Sequence, residues 1–184
     1  MRCDLVFRAS GTAAKSQTAP QDPFPTHDRI PMITAMQAAK HLLTLCDEDA
    51  GDTLTHLKLQ KLLYYAQGVH LAMHEEPLFP EPVKAWLHGP VVPDVWQKLK
   101  DCGPDSVSID HPSLRDVSID DIGADEKETL DEVFRVFGQF SAWKLRDMTH
   151  EEPPWRDTPR DSRIPDSRLQ AYFSTLIEDD GQEP

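Results

Sequence analysis

Cysteine is scarce in this chain of 184 residues: Cys3, Cys46 and Cys102 are odd in number, widely scattered and without CxxC spacing. That excludes a disulfide framework and a CxxC zinc site, and it suggests a reducing cytoplasm. Glycine is also sparse, at eight residues, and neither a phosphate-cradling glycine loop nor a G-x-S-x-G elbow is present. Basic residues are outnumbered, 19 Lys and Arg against 32 Asp and Glu, for a formal net charge of -13. Such a balance repels a phosphate backbone, and the few cations do not cluster along the sequence, so a nucleic-acid partner is not expected. No run approaches the roughly 18 apolar residues of a membrane span, and Leu5-Val6-Phe7 is too short for a signal-peptide core. A soluble, unexported, cytoplasmic protein with no membrane partner is the expectation.

The length suits one domain with a real core. Residues 1–31 hold four prolines and little apolar periodicity, so a disordered arm is expected there, dispensable or even upstream of the native start at Met32. Residues 32–178 are expected to form the domain, and 179–184 an acidic tail. Within the domain, Thr34 is placed to cap a helix over 33–47, and Thr53 or Thr55 a second one ending near His74. A third follows Pro93, from Asp94 to Lys100. The stretch 101–132 is strongly acidic and reads in part as a solvated loop. Asp125 and Glu128 suggest a capping box for a helix through Phe137, stopped by Gly138. Ser141 can cap a helix that Pro153-Pro154 ends, and a last helix is expected over 166–178. The fold class is therefore mainly α.

The second helix is unusual. On a helical wheel Leu59, Leu62, Leu63, Ala66, Val69 and Met73 form one broad stripe, Leu57, Tyr64 and Leu71 a second, and Tyr65 with Ala72 a third. A helix apolar nearly all round, yet too short and polar to span a membrane, belongs at the centre of a domain. Lys58 and Lys61 are expected to run their heads out to water. Gln60, Gln67 and His74 make a narrow polar strip that either pins a neighbouring loop or faces a ligand groove. His70 and His74 lack the glutamate of H-E-x-x-H, Leu71 standing in its place, so no metal site is assigned. His150-Glu151-Glu152 reads as a solvated helix terminus rather than an acid and base pair. No catalytic residue and no cofactor site emerges, which leaves an enzyme with an unfamiliar site as the remotest alternative.

Between helices two and three, VKAWLHGPVVP (83–93) reads as a short strand, a tight turn at Gly89-Pro90 and a lead into helix three. Trp86 and Trp96 can clamp this connector to the central helix. Its strand is either a cover for the core or an exposed edge that accepts a partner's strand.

Three stretches in order, LKLQKLLYYAQGVHLAMHEEPLF, VKAWLHGPVVPDVWQKLK and SAWKLRDMTHEEPPW, resemble the Panacea domain family of bacterial SocA-like antitoxins and phage-associated GepA-type proteins, over about residues 33–178. The resemblance implies a helical domain that neutralises a protein toxin encoded beside it. One described member of the family is similar to a proteolytic adaptor that delivers its toxin to the ClpXP protease, which gives an alternative reading here. Some members add a DNA-binding module, but residues 1–31 are too short and proline-rich for one. The expected partner surface joins Trp86, His88, Gly89, Pro90 and Val91 to Trp143, His150 and Trp155, because aromatic residues beside polar rims dominate interface energy. Core roles compete at Trp86 and Trp143, whereas Trp155, after two prolines and without periodic partners, is the better contact anchor.

The helical wheel generates a direct test. Leu63→Asp would set an unpaired charge in the widest apolar stripe, at a cost comparable to a domain's whole stability, roughly 5–15 kcal/mol. The variant is expected to be unfolded by circular dichroism, and a soluble variant with the parent's melting curve would mean that the wrong face has been buried.

Overall fold

The computed structural model describes residues 7–8, 32–46, 53–103 and 106–178. Among these, a mainly helical domain is built around one enclosed helix. The elements in chain order are β1 (Phe7–Arg8), α1 (Ala35–Thr44), α2 (His56–His74), β2 (Lys84–Trp86), β3 (Gly89–Val91), α3 (Pro93–Leu99), α4 (Ala124–Phe137), α5 (Ala142–Glu151), α6 (Pro153–Arg156), α7 (Asp166–Phe173) and β4 (Ile177–Glu178).

Local chemistry sets the helix starts. Thr34 and Gln37 form a reciprocal capping box on α1, Thr55 accepts from the Lys58 N–H at the start of α2, and Ser141 accepts from the Lys144 N–H on α5. The capping box expected from Asp125 and Glu128 does not form. Gly123 is the N-cap of α4 and makes no side-chain cap bond, so the two acidic residues near the start, Asp125 and Glu126, act on the helix dipole instead. The last helix is shorter than its periodicity suggests. It stops at Phe173, and Ile177–Glu178 pair in parallel with Phe7–Arg8. Those two strand residues are the described part of the expected N-terminal arm; the remainder of 1–31 and the tail 179–184 lie outside the described residues.

Every residue of α2 from Lys58 to Leu71 is buried. The helix packs against α1, α3, α4, α5, α7 and β3, which is what an all-round apolar surface requires. Its aromatic side chains knit the far side of the core: the Tyr65 ring stacks on Phe137 with centroids 3.7 Å apart, and Tyr64 meets the Phe173 edge at 5.5 Å. The acidic stretch is held against α1. Lys40 Nζ donates to the carbonyls of Leu114 (2.9 Å) and Val117 (2.6 Å), and Gln37 Nε2 donates to Ser118 O at 3.0 Å.

The connector is a two-stranded antiparallel hairpin, β2 with β3. Its turn falls at Leu87-His88, two residues earlier than expected, so that Gly89 and Pro90 belong to the second strand. Neither edge is open. Asp161 and Ile164 donate to the Ala85 and Val83 carbonyls, and Ala85 donates to Ser162 O. The other strand is buried along its length against α2. The strand-accepting edge is thereby excluded, and the hairpin covers the core.

Gly68 shows how closely α7 approaches. A Cβ at this position would lie 2.2 Å from the Phe173 ring, and Phe173 is fully buried. Alanine would gain about 1 kcal/mol of helix propensity, yet forcing apart a packed aromatic costs about 1–3 kcal/mol. Gly68→Ala is expected to lower the melting temperature, and a rise would show that α7 yields without cost.

Candidate functional site

The polar strip of α2 turns inward, not toward a ligand groove. Gln67 exchanges two bonds with the backbone of Phe79, its Nε2 donating to the carbonyl and its Oε1 accepting from the N–H, each at 3.2 Å. Gln60 Oε1 accepts from Val92 N–H at 2.8 Å, while its Nε2 donates to His56 Nε2 at 3.2 Å. Burial holds that imidazole neutral, its pKa lowered to about 4, with Lys61 adding to the effect. Loop pinning is thus what the two glutamines do. The His70 ring packs against His74 with centroids 4.4 Å apart and donates Nδ1–H to Thr129, whose own hydroxyl donates to Asp125 O.

Three charged residues expected at the solvent are buried. Lys61 is 0% exposed, and its Nζ donates to the Pro90 carbonyl at 2.9 Å. Lys58 is also buried. The Lys61 stem ends beneath the β3 strand, whose Pro90 carbonyl holds its head. Desolvation, with a smaller push from Arg146, brings the Lys61 pKa down to about 7. Glu152, expected at a solvated terminus, is buried between two tyrosines. Tyr64 OH donates to its Oε2 at 2.7 Å and Tyr65 OH to its Oε1 at 2.9 Å. Desolvation outweighs these bonds and raises the carboxyl pKa to about 7.

These contacts aim the hairpin turn at α5. Gly89 has φ +101°, and a Cβ there would lie 2.6 Å from Lys61 Cε and 3.0 Å from Thr149 Oγ1. Only glycine fits both the backbone angle and the space. The expected partner-surface residues then fall into two groups. Gly89, Pro90 and Val91 are buried structural parts. Trp86 meets the Trp96 edge at 5.3 Å, and Trp155 donates Nε1–H to Trp86 O at 3.0 Å while stacking on His150, centroids 3.8 Å apart. Trp155, read from sequence as a free anchor, is therefore half-buried and bound. Trp143 reverses in the opposite direction: in place of a core role it is 63% exposed. Beside the exposed His88, the turn also presents Leu87, 55% exposed, which the sequence reading passed over because nothing in its periodicity distinguishes it.

A further cluster, invisible to spacing, joins Asp101, Cys102 and His111. His111 Nδ1 accepts from Ser113 N–H at 3.1 Å, so its proton sits on Nε2 and is donated to Asp101. A ring so engaged has no lone pair left for a metal, and the cluster acts as a clasp.

The family model described as antitoxin SocA-like, Panacea domain, matches residues 59–156, just over half of the chain. The chain belongs to this family. No curated protein and no solved structure matches it. The matched Panacea segment runs from α2 through α6 and so contains Lys61, Gly89, Pro90, Trp143, His150 and Glu152. It is narrower than the span 33–178 over which the resemblance was expected, and α1 and α7 flank it. Among the described residues, no helix of this Panacea domain is long and apolar enough to cross a membrane.

The enclosed charges generate a pH dependence. Between about pH 7 and 10.5 the unfolded chain holds the Lys61 proton and the folded chain has lost it. The unfolded state binds more protons, so this group makes stability rise with pH in that window, by at most about 1.4 kcal/mol per unit. Glu152 acts oppositely at lower pH: folded, it keeps its proton from pH 4.5 to about 7, so its contribution falls as pH rises through that range. Urea unfolding of the parent at pH 7, 8 and 9 is expected to show the rise, and Lys61→Met to lack it. An equal slope in both proteins would mean that the ammonium is solvated.

Proposed function

We propose that this chain is the antitoxin of a toxin–antitoxin pair and neutralises its cognate protein toxin by direct contact, as a non-catalytic, cytoplasmic binding protein. Membership of the SocA-like family supports the antitoxin role. The observation that carries direct contact is Trp143, a large ring left 63% exposed on α5 while the other three tryptophans are at least partly buried. Large exposed aromatics are the residues from which interface hot spots are made. His150 lies two turns along the same face of α5, stacked on Trp155, and Leu87 and His88 stand at the turn of the hairpin that packs on α5. This reading shifts the anchor from Trp155 to Trp143 and keeps the surface near the hairpin turn.

The test is expression of the neighbouring reading frame with and without this chain, in cells with and without ClpXP. Killing by the neighbour alone, and rescue in both backgrounds, is expected for neutralisation by contact. Rescue that disappears without the protease would replace contact with the adaptor reading. In the purified pair, Trp143→Ala is expected to weaken toxin binding by about 2 kcal/mol, roughly thirtyfold, with an unchanged melting temperature. Trp155→Ala is expected to lower the melting temperature, because it removes the stack on His150 and the bond to Trp86. Full affinity in Trp143→Ala would remove α5 from the interface.

A further inference from the structure

Two side-chain atoms are sealed from solvent without a hydrogen-bond partner among the described residues: Arg146 Nε and His150 Nε2. They belong to residues one turn apart on α5, so they lie on one side of the helix. Both nitrogens are able to donate, and a sealed donor is costly to leave unmade. The field around them has one dominant sign. Besides Arg146, the His150 ring feels Lys61 from α2 and His88 from the hairpin turn, each opposing its protonation. Lys61 itself is enclosed and, where it holds its proton below about pH 7, contributes charge without contact.

One carboxylate answers this group, and only partly. Asp147 takes Arg146 Nη1 at 2.7 Å, which leaves the edge formed by Nε and Nη2. That edge is the fork from which a guanidinium donates to a carboxylate with two parallel bonds. Among the described residues, Asp147 is the carboxylate that acts on His150.

We propose that Arg146 and His150, with His88 at the rim and Lys61 behind, form a recess for one carboxylate, an aspartate or glutamate side chain delivered by a protein partner. The proposal rests on the antitoxin reading and names the chemistry of the group its partner inserts. A polyphosphate or nucleic acid is disfavoured by the net charge of -13, which repels extended polyanions while sparing a single buried carboxylate. Delivery by a protein follows from the surroundings. Trp143 and Leu87, on the same two elements, expose apolar surface of the kind that rims an interface and excludes water from a charge pair at its centre.

The recess is tested first without any partner. Sodium acetate is titrated into the purified protein against sodium chloride at matched ionic strength, and the Arg146 Nε–H and His150 ring signals are followed by NMR. Saturable shifts with acetate and none with chloride are expected. Identical, non-saturating responses would mean that no carboxylate reaches the two donors, and would overturn the recess. The second arm measures affinity for the protein encoded beside this chain. Arg146→Gln is expected to weaken it at least tenfold and to abolish the acetate shifts, while Arg146→Lys, which keeps the charge and loses the fork, retains only part of the affinity. Unchanged affinity in a folded Arg146→Gln protein would overturn delivery by that partner. If the parent chain does not bind the neighbour at all, the antitoxin reading fails, and the acetate titration still decides the recess.

Discussion

A lysine amino group shut inside the domain with a backbone carbonyl as its acceptor governs the geometry around it. Lys61 Nζ reaches Pro90 O, and for that bond to form β3 must lie directly over α2. Gly89 must then pass the lysine stem with no side chain of its own, at a backbone angle that suits glycine. The turn before it, Leu87-His88, is consequently thrown outward, and Thr149 brings α5 against the same glycine. A buried lysine is poor evidence for stability, since hydrophobic replacements are often neutral or better. Its value here is positional. It fixes the hairpin relative to α5, and these are the two elements that carry the exposed apolar residues and the unpartnered donors.

The rest of α2 follows the same logic. Its apolar stripes supply the driving force, but they could meet neighbouring helices in several registers, because hydrophobic contact has little direction. The polar members remove that freedom. Gln67 accepts one backbone geometry at Phe79, Gln60 one at Val92, and the two tyrosine hydroxyls converge on a single carboxylate at the α5–α6 junction. Each misplacement would strand a buried polar group. The central helix is therefore greasy on every side and still specifies one arrangement.

Sequence periodicity shows the helices well because their cause is local. Thr34, Thr55, Ser141 and Gly138 act within a few residues of themselves, and the stripes of α2 declare its burial without reference to any neighbour. What the periodicity hides is non-local. Nothing near Lys61 in sequence reveals that a strand 29 residues away will close over it. Glu152 sits among charged neighbours, and its tyrosine partners are 87 and 88 residues distant. Trp143 lies within a helical repeat and Trp155 beyond two prolines, which points to the opposite roles. Their fates separate because Trp155 finds the Trp86 carbonyl across the fold. The candidate site consists mainly of such long-range outcomes, so its elements were legible and its individual roles were not.

The family match bears on how this module holds together. Residues 59–156 include both ends of the contacts that α2 makes to Phe79, Pro90, Val92, Thr129 and Glu152. They leave out α1 and α7, which close the apolar core on either side of α2. The matched segment thus carries the polar instructions for placing hairpin and α5, whereas part of the hydrophobic stabilisation comes from its flanks, through contacts such as Phe173 on Gly68 and on Tyr64. The proposed partner surface at the hairpin turn and α5 is set by the first and depends on the second only for stability. Changes in α1 or α7 should therefore alter how much of the domain is folded without altering what the folded domain recognises.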